Sequence, residues 1–144
     1  RLSAERMRSL SVDVAAEGLS LEESLAEAER FYCDVLGFER MVRYGQSASF
    51  VSAGGYHHHI GLNTWAGADA PPPPENAIGL ASFTLQVPHQ AAVLDLQTEL
   101  SAAGVPFETD EDGLVLKDPF ENGLLITTPD AAGAGHAAGK LATR

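Results

Sequence analysis

The side chains of this chain that could do chemistry gather in one run, Gly54-Gly55-Tyr56-His57-His58-His59-Ile60-Gly61-Leu62-Asn63-Thr64-Trp65. Three of the five histidines stand here in a row, and the single Trp closes it. Imidazole titrates near neutrality, so the run can supply a general base, a ligand-contacting hydrogen bond or a metal donor. Tyr56, Ile60, Leu62 and Trp65 give it strand character, and the Gly pair marks a turn just before it. On a strand, successive side chains point to opposite faces. His57 and His59 therefore share a face with Asn63, while His58 lies with Ile60, Leu62 and Thr64. In either register at least one imidazole faces inward, which makes the run the floor of a pocket. We take His57 and His59 as the catalytic candidates and His58, Asn63 and Trp65 as ligand contacts. The alternative is metal binding by His57 with His59, since histidines at i and i+2 on a strand can chelate one ion. A structural reading stands beside these: one histidine buried and hydrogen-bonded, the others at solvent or at a subunit interface.

The elements that must position this run follow from periodicity. Leu10, Val12 and Val14 alternate with Ser9, Ser11 and Asp13, which predicts a strand with one polar face. Ser20 and Glu23 have capping-box spacing. Leu21, Leu25, Ala28, Tyr32, Val35 and Leu36 then predict an amphipathic helix over 21–36, stopped at Gly37. Cys33 falls within it and reads as a packed, structural thiol. Residues 38–43, 48–53 and 56–65 are expected strands. After the Ala/Gly- and Pro-rich stretch 66–78, stiff and extended at Pro71 to Pro74, the pattern restarts. A strand over 80–87 leads to a helix over 89–103 that stops at Gly104. Short strands follow around Phe107, at 114–116 and at 124–127, the last two joined by a hairpin whose Asn122-Gly123 pair suits positive φ. The order is strand, helix, three strands, twice over, which is an internal repeat. The expected organisation is a loose end at 1–8, a first module at 9–65, a linker at 66–78, a second module at 79–129 and a disordered tail at 130–144. The fold class is α+β: two βαβββ modules pairing into a curled mixed sheet around a cavity.

Composition narrows the partners. The 144 residues carry 20 acidic against 9 basic side chains, a formal charge of −11. That argues against nucleic acid and against an anionic membrane surface. A single cysteine permits no disulfide within the chain, so a reducing cytoplasm is the expected setting. Tyr44, Phe50 and Phe107 can line a cavity or belong to the core.

Three segments carry a resemblance to a known family. Glu29-Arg30-Phe31-Tyr32-Cys33-Asp34-Val35-Leu36-Gly37-Phe38 is similar to a helix ending in F-Y-x-D-x-L-G-F. Asp118-Pro119 with Asn122-Gly123 is similar to a D-P-x-G-N hairpin, with Glu121 where Gly is usual. Gly54 to Trp65 resembles a strand of catechol-2,3-dioxygenase-like members. Over residues 8–129 the chain thus resembles the vicinal oxygen chelate superfamily of glyoxalase I, bleomycin-resistance proteins and extradiol dioxygenases. The resemblance implies a U-shaped cavity that, in the enzymes, holds a divalent metal such as Fe, Mn or Zn. It also implies His, Gln or Glu ligands from the first strand of each module and the last strand of the second. Here those positions read Ser9, Ser82 and Leu125. Serine is a weak neutral donor and leucine is none.

Two classes of function follow. The first is a metal-independent binder of a small aromatic or cationic molecule, or a metal-free enzyme, with no cofactor and with Ser9, Ser82 and Phe107 added to the ligand contacts. The second is a divalent-metal-dependent dioxygenase, lyase or isomerase using the His57–His59 strand. Relatives of this kind dimerise, so the resemblance implies a homodimer.

Overall fold

Leu10–Asp13 (β1) alternates as its sequence requires, with Val12 buried and Ser11 and Asp13 turned to solvent. It opens the first of two units in a computed structural model that describes residues 10–54, 59–71, 74, 76 and 80–129. The Ser9 side chain, His57, His58, the loose end 1–8 and the tail from 130 lie outside the described residues. Leu21–Glu29 (α1) starts at a complete capping box, Ser20 accepting from the Glu23 amide and Glu23 from the Ser20 amide. Glu39–Tyr44 (β2), Ala48–Ser52 (β3) and Ile60–Asn63 (β4) complete the unit. Its sheet runs β1-β4-β3-β2, with β1 parallel to β4 and the other pairs antiparallel.

The expected helix over 21–36 is not one regular helix. The α form ends at Glu29, and Arg30–Val35 winds as a π turn, with the Leu36 amide donating to the Phe31 carbonyl at 3.0 Å. The wider turn inserts an extra residue. Phe31 and Tyr32, neighbours in sequence, are both buried within it. Tyr32 meets Phe31 edge-on at 5.0 Å and Phe38 at 6.4 Å. Gly37 then stops the helix at φ 85°, the left-handed form that glycine adopts without strain.

Register decides which side chains share a face. Leu10, Ile60, Val51 and Arg40 form one cross-strand row, and Val12, Leu62, Ser49 and Arg43 the next but one. Both rows face α1, since Glu29 reaches Arg40 at 3.4 Å and Arg43 at 3.5 Å. The alternate rows, Ser11–Gly61–Phe50–Val42 and Asp13–Asn63–Ala48–Tyr44, lie on the far face.

The second unit repeats the plan. Ser82–Gln86 (β5), Gln90–Ala102 (α2), Phe107–Thr109 (β6), Leu114–Lys117 (β7) and Gly123–Thr127 (β8) give a sheet of order β5-β8-β7-β6, with β5 parallel to β8. His89 caps α2 through Nδ1, which accepts from the Ala92 amide at 3.2 Å. Leu85, Leu114, Leu116, Leu124 and Ile126 are buried. Gln97 of α2 reaches Thr109 at 3.5 Å, which assigns the row Leu85–Ile126–Leu114–Thr109 to the helix side.

The connection between β7 and β8 corrects the expectation for Asn122-Gly123. Positive φ falls on Glu121 (68°), not on that pair. The reason is the buried Asp118 carboxylate. Its Oδ1 accepts from the Phe120 and Asn122 amides and its Oδ2 from the Asn122 side chain, all at 2.9 Å. That clamp sets a five-residue loop rather than a two-residue turn. Among the described residues no helix is long and apolar enough to cross a membrane.

Candidate functional site

His59 stands at the threshold of β4 and continues its ladder. Its amide donates to the Val51 carbonyl and its carbonyl accepts from the Leu10 amide, both at 2.9 Å. The residue is 1% exposed. Its Nδ1 lies 3.0 Å from the Ala53 amide and 3.2 Å from the Ser52 hydroxyl. A backbone N–H can only donate, so Nδ1 is an acceptor here and the proton of the neutral ring sits on Nε2. The Ser52–His59 contact resembles a nucleophile–base pair in distance alone. Ser52 has no solvent exposure, and the lone pair that would take its proton already receives the Ala53 N–H.

Asn63 shares the far face with His59, as strand alternation predicts. Its Nδ2 donates to the Ser11 hydroxyl at 2.9 Å and to the Val12 carbonyl at 3.1 Å, while its Oδ1 accepts from the Trp65 amide at 3.3 Å. The side chain therefore ties β4 to β1 and to the turn behind it. Trp65 is 72% exposed in that turn, which ends the expected strand two residues early. Thr64 fixes the break by donating to the Gln46 carbonyl at 2.6 Å. Beside Asn63, a Cβ on Gly61 would come within 3.1 Å of the Phe50 ring. The missing side chain lets Phe50 lie close to the strand, where Tyr44 meets it edge-on at 5.7 Å.

In the second unit, Ser82, Thr84 and Gln86 are exposed on the sheet face away from α2. Ser82 shares a row with Gly123 and Lys117, and Leu125 sits in the next, Thr84–Leu125–Val115–Glu108. Phe107 is on the opposite side, in the row Phe83–Leu124–Leu116–Phe107. So Ser82 and Leu125 come to one face and Phe107 does not join them. Glu108, next to Phe107, is the residue that reaches this face. Its signal was the same two-residue alternation, but a three-residue strand is too short for alternation to set its phase.

The metal implied by the resemblance was tested against the donors present. Among the described residues no three His, Cys, Asp or Glu side chains converge on one point. Ser82 is a poor ligand, Leu125 is none, and Nδ1 of His59 is engaged by Ala53. The described residues do not fit a divalent metal.

The first unit also carries the single thiol of the chain. Cys33 lines a cleft of about 480 Å³ with Ala26, Glu29, Arg30, Asp34 and Arg40. Burial pushes its thiol up to about 11, and the Glu29 and Asp34 carboxylates push the same way. A thiol so protonated at neutral pH is a packing group rather than a nucleophile.

Residues 21–126 match the sequence profile of the Glyoxalase/Bleomycin resistance protein/Dioxygenase superfamily. A catechol-2,3-dioxygenase of Bacillus subtilis (strain 168) is 48% identical over 125 residues, which is 85% of this chain and 44% of that protein. The chain therefore spans less than half the length of this curated relative. Among solved structures, a glyoxylase/bleomycin resistance protein/dioxygenase domain from Frankia sp. EAN1pec superposes with a TM-score of 0.64 at 23% identity, covering 88% of this chain and 93% of that one. A lactoylglutathione lyase from Agrobacterium tumefaciens gives 0.59 at 22% identity, covering 90% and 98%. These two establish the fold alone. By its profile match, its relative and its twice-repeated β-α-β-β-β order, the chain belongs to the glyoxalase/bleomycin resistance protein/dioxygenase superfamily.

Proposed function

We propose that this chain is a metal-independent member of the superfamily that binds a small aromatic or cationic molecule and assembles as a homodimer in the cytoplasm. The observation that carries the reading is donor chemistry. Where the enzymes of the superfamily place ionisable ligands, this chain has Ser82 and Leu125, side by side in adjacent rows of one exposed sheet face. A hydroxyl beside an aliphatic side chain suits a hydrogen-bonded, partly apolar ligand far better than a divalent cation. Ser82, Thr84 and Leu125 are the contacts we assign on that face, and Trp65, an exposed aromatic, is the contact we assign in the first unit.

A second reading is favoured by one observation, the 48% identity to a catechol-2,3-dioxygenase. On that reading the chain is a metal-dependent enzyme using the His57–His59 strand. The two separate in one experiment on tag-free protein. Metal content is measured before and after chelation, and the melting temperature is followed with catechol and with a quaternary-ammonium aromatic. The binding reading expects metal well below one ion per chain and ligand-induced stabilisation that survives chelation. About one Fe, Mn or Zn per chain, with catechol stabilisation abolished by chelator, would establish the enzyme reading instead.

A further inference from the structure

We propose that His59 is a positioning residue. Through Nδ1 it holds the end of β3 against the start of β4, and it is fixed as the Nε2–H tautomer, which removes it from general-base and metal-ligand duty. Three observations converge. The ring is 1% exposed, so no water competes for its nitrogens from bulk. Nδ1 accepts from the Ala53 amide at 3.0 Å, and that amide belongs to a residue only 7% exposed, where an unmet N–H is costly. The contact spans six residues, and inside it Gly54 takes φ 69° to reverse the chain.

The chemistry of imidazole does the rest. A neutral ring has one lone pair and one N–H. With the lone pair on Nδ1 directed at Ala53, Nε2 carries the hydrogen and has no electron pair for a metal or a proton. Ligation through Nε2 would require the proton to move to Nδ1, against the Ala53 N–H. The two donors would then face each other at hydrogen-bond distance. The same conflict opposes protonation of the ring. Of the two histidines whose spacing suggests a chelating pair, His59 is thus the structural one. The consequence holds whether the chain binds, catalyses or uses a metal elsewhere.

Two substitutions separate the roles, because each mimics one nitrogen. In His59→Asn the side-chain oxygen falls near the place of Nδ1 and can accept from Ala53. In His59→Gln the amide falls near the place of Nε2 and leaves Ala53 without its acceptor. A positioning role expects Asn to melt close to wild type and to keep the Ala53 amide protected from hydrogen exchange. It expects Gln to melt roughly 5–10 °C lower, with Ala53 exchanging about tenfold faster or more. In the wild-type protein, ¹⁵N spectra of the His59 ring should show a pyridine-like Nδ1 and a pyrrole-like Nε2 between pH 6 and 8. The inference is overturned if Gln is tolerated while Asn is not, or if Nδ1 carries the proton. Added Zn²⁺ that shifts the His59 Nε2 resonance would overturn it as well.

Discussion

At the scale of single residues, the informative positions are those where a side chain sits in a conformation it does not prefer. Glu121 holds φ 68° in the β7–β8 loop, a backbone conformation that favours glycine. A non-glycine residue in that region costs about 1–2 kcal/mol. What Glu121 gains is a salt bridge to Lys117 at 2.6 Å, but both side chains are about two-thirds exposed. Such a pair contributes between zero and about 1 kcal/mol. Glycine also loses more backbone entropy on folding, about 0.5–1 kcal/mol. The terms nearly cancel and leave Glu121→Gly within about 1 kcal/mol of neutral, read as a urea midpoint close to that of wild type with an unchanged slope. A midpoint that fell would mean that the Lys117 pair outweighs the backbone strain. His59 teaches the complementary lesson about what sequence makes visible. Its place in a histidine run on a strand was legible, and so was its sharing a face with Asn63. Its tautomer was not, because the partner that fixes it is the backbone amide of Ala53. A main-chain donor leaves no mark in residue identity.

At the scale of elements, most boundaries followed from patterns with a single physical origin. The Ser20–Glu23 spacing gave the start of α1, and Gly37 and Gly104 gave two helix ends. The π turn was invisible. Phe31 and Tyr32 are both buried, but an α-helical stripe is wide enough to bury two neighbours, so their pattern carries no sign of the wider turn. The face of Phe107 could not be read in advance because β6 has three residues and admits either phase. Only its pairing with Leu116 settles the side. The capping box of α1 makes a further prediction. The Ser20 side chain, then the Ser20 backbone, hydrogen-bond the Glu23 carboxylate and hold it below its usual value, against a small opposing effect of burial. A carboxylate with its folded value depressed stabilises the fold above the unfolded value near 4.5, and that contribution is lost as pH falls through the folded value. In Glu23→Gln the amide can still reach the Ser20 backbone but cannot titrate. Melting curves from pH 7 down to pH 3 should therefore fall less steeply for Glu23→Gln than for wild type. Parallel curves would show that the carboxylate is equally protonated in the unfolded chain and adds nothing through its charge.

At the scale of the whole molecule, two facts bear on function: the repeat and the charge. Both units use the strand order first-fourth-third-second with the outer pair parallel. The same plan thus carries different faces, His59 and Asn63 in one and Ser82 and Leu125 in the other. The charge of −11 acts on every ligand that approaches, whatever it finally touches. A field of that sign raises the local concentration of cations, and salt collapses it over a Debye length of about 10 Å at 0.1 M. An aromatic ligand bearing a quaternary ammonium should therefore lose affinity severalfold as ionic strength rises from about 0.02 to about 0.2 M. Its neutral isostere should be nearly indifferent over the same range. Titration calorimetry on the two compounds reads both slopes in one series. If the cationic compound shows no salt dependence, the acidic surface plays no part in recognition and serves solubility alone. A strong dependence for the neutral compound would point to salt acting on the fold instead, and its melting temperature in the same buffers would reveal that directly.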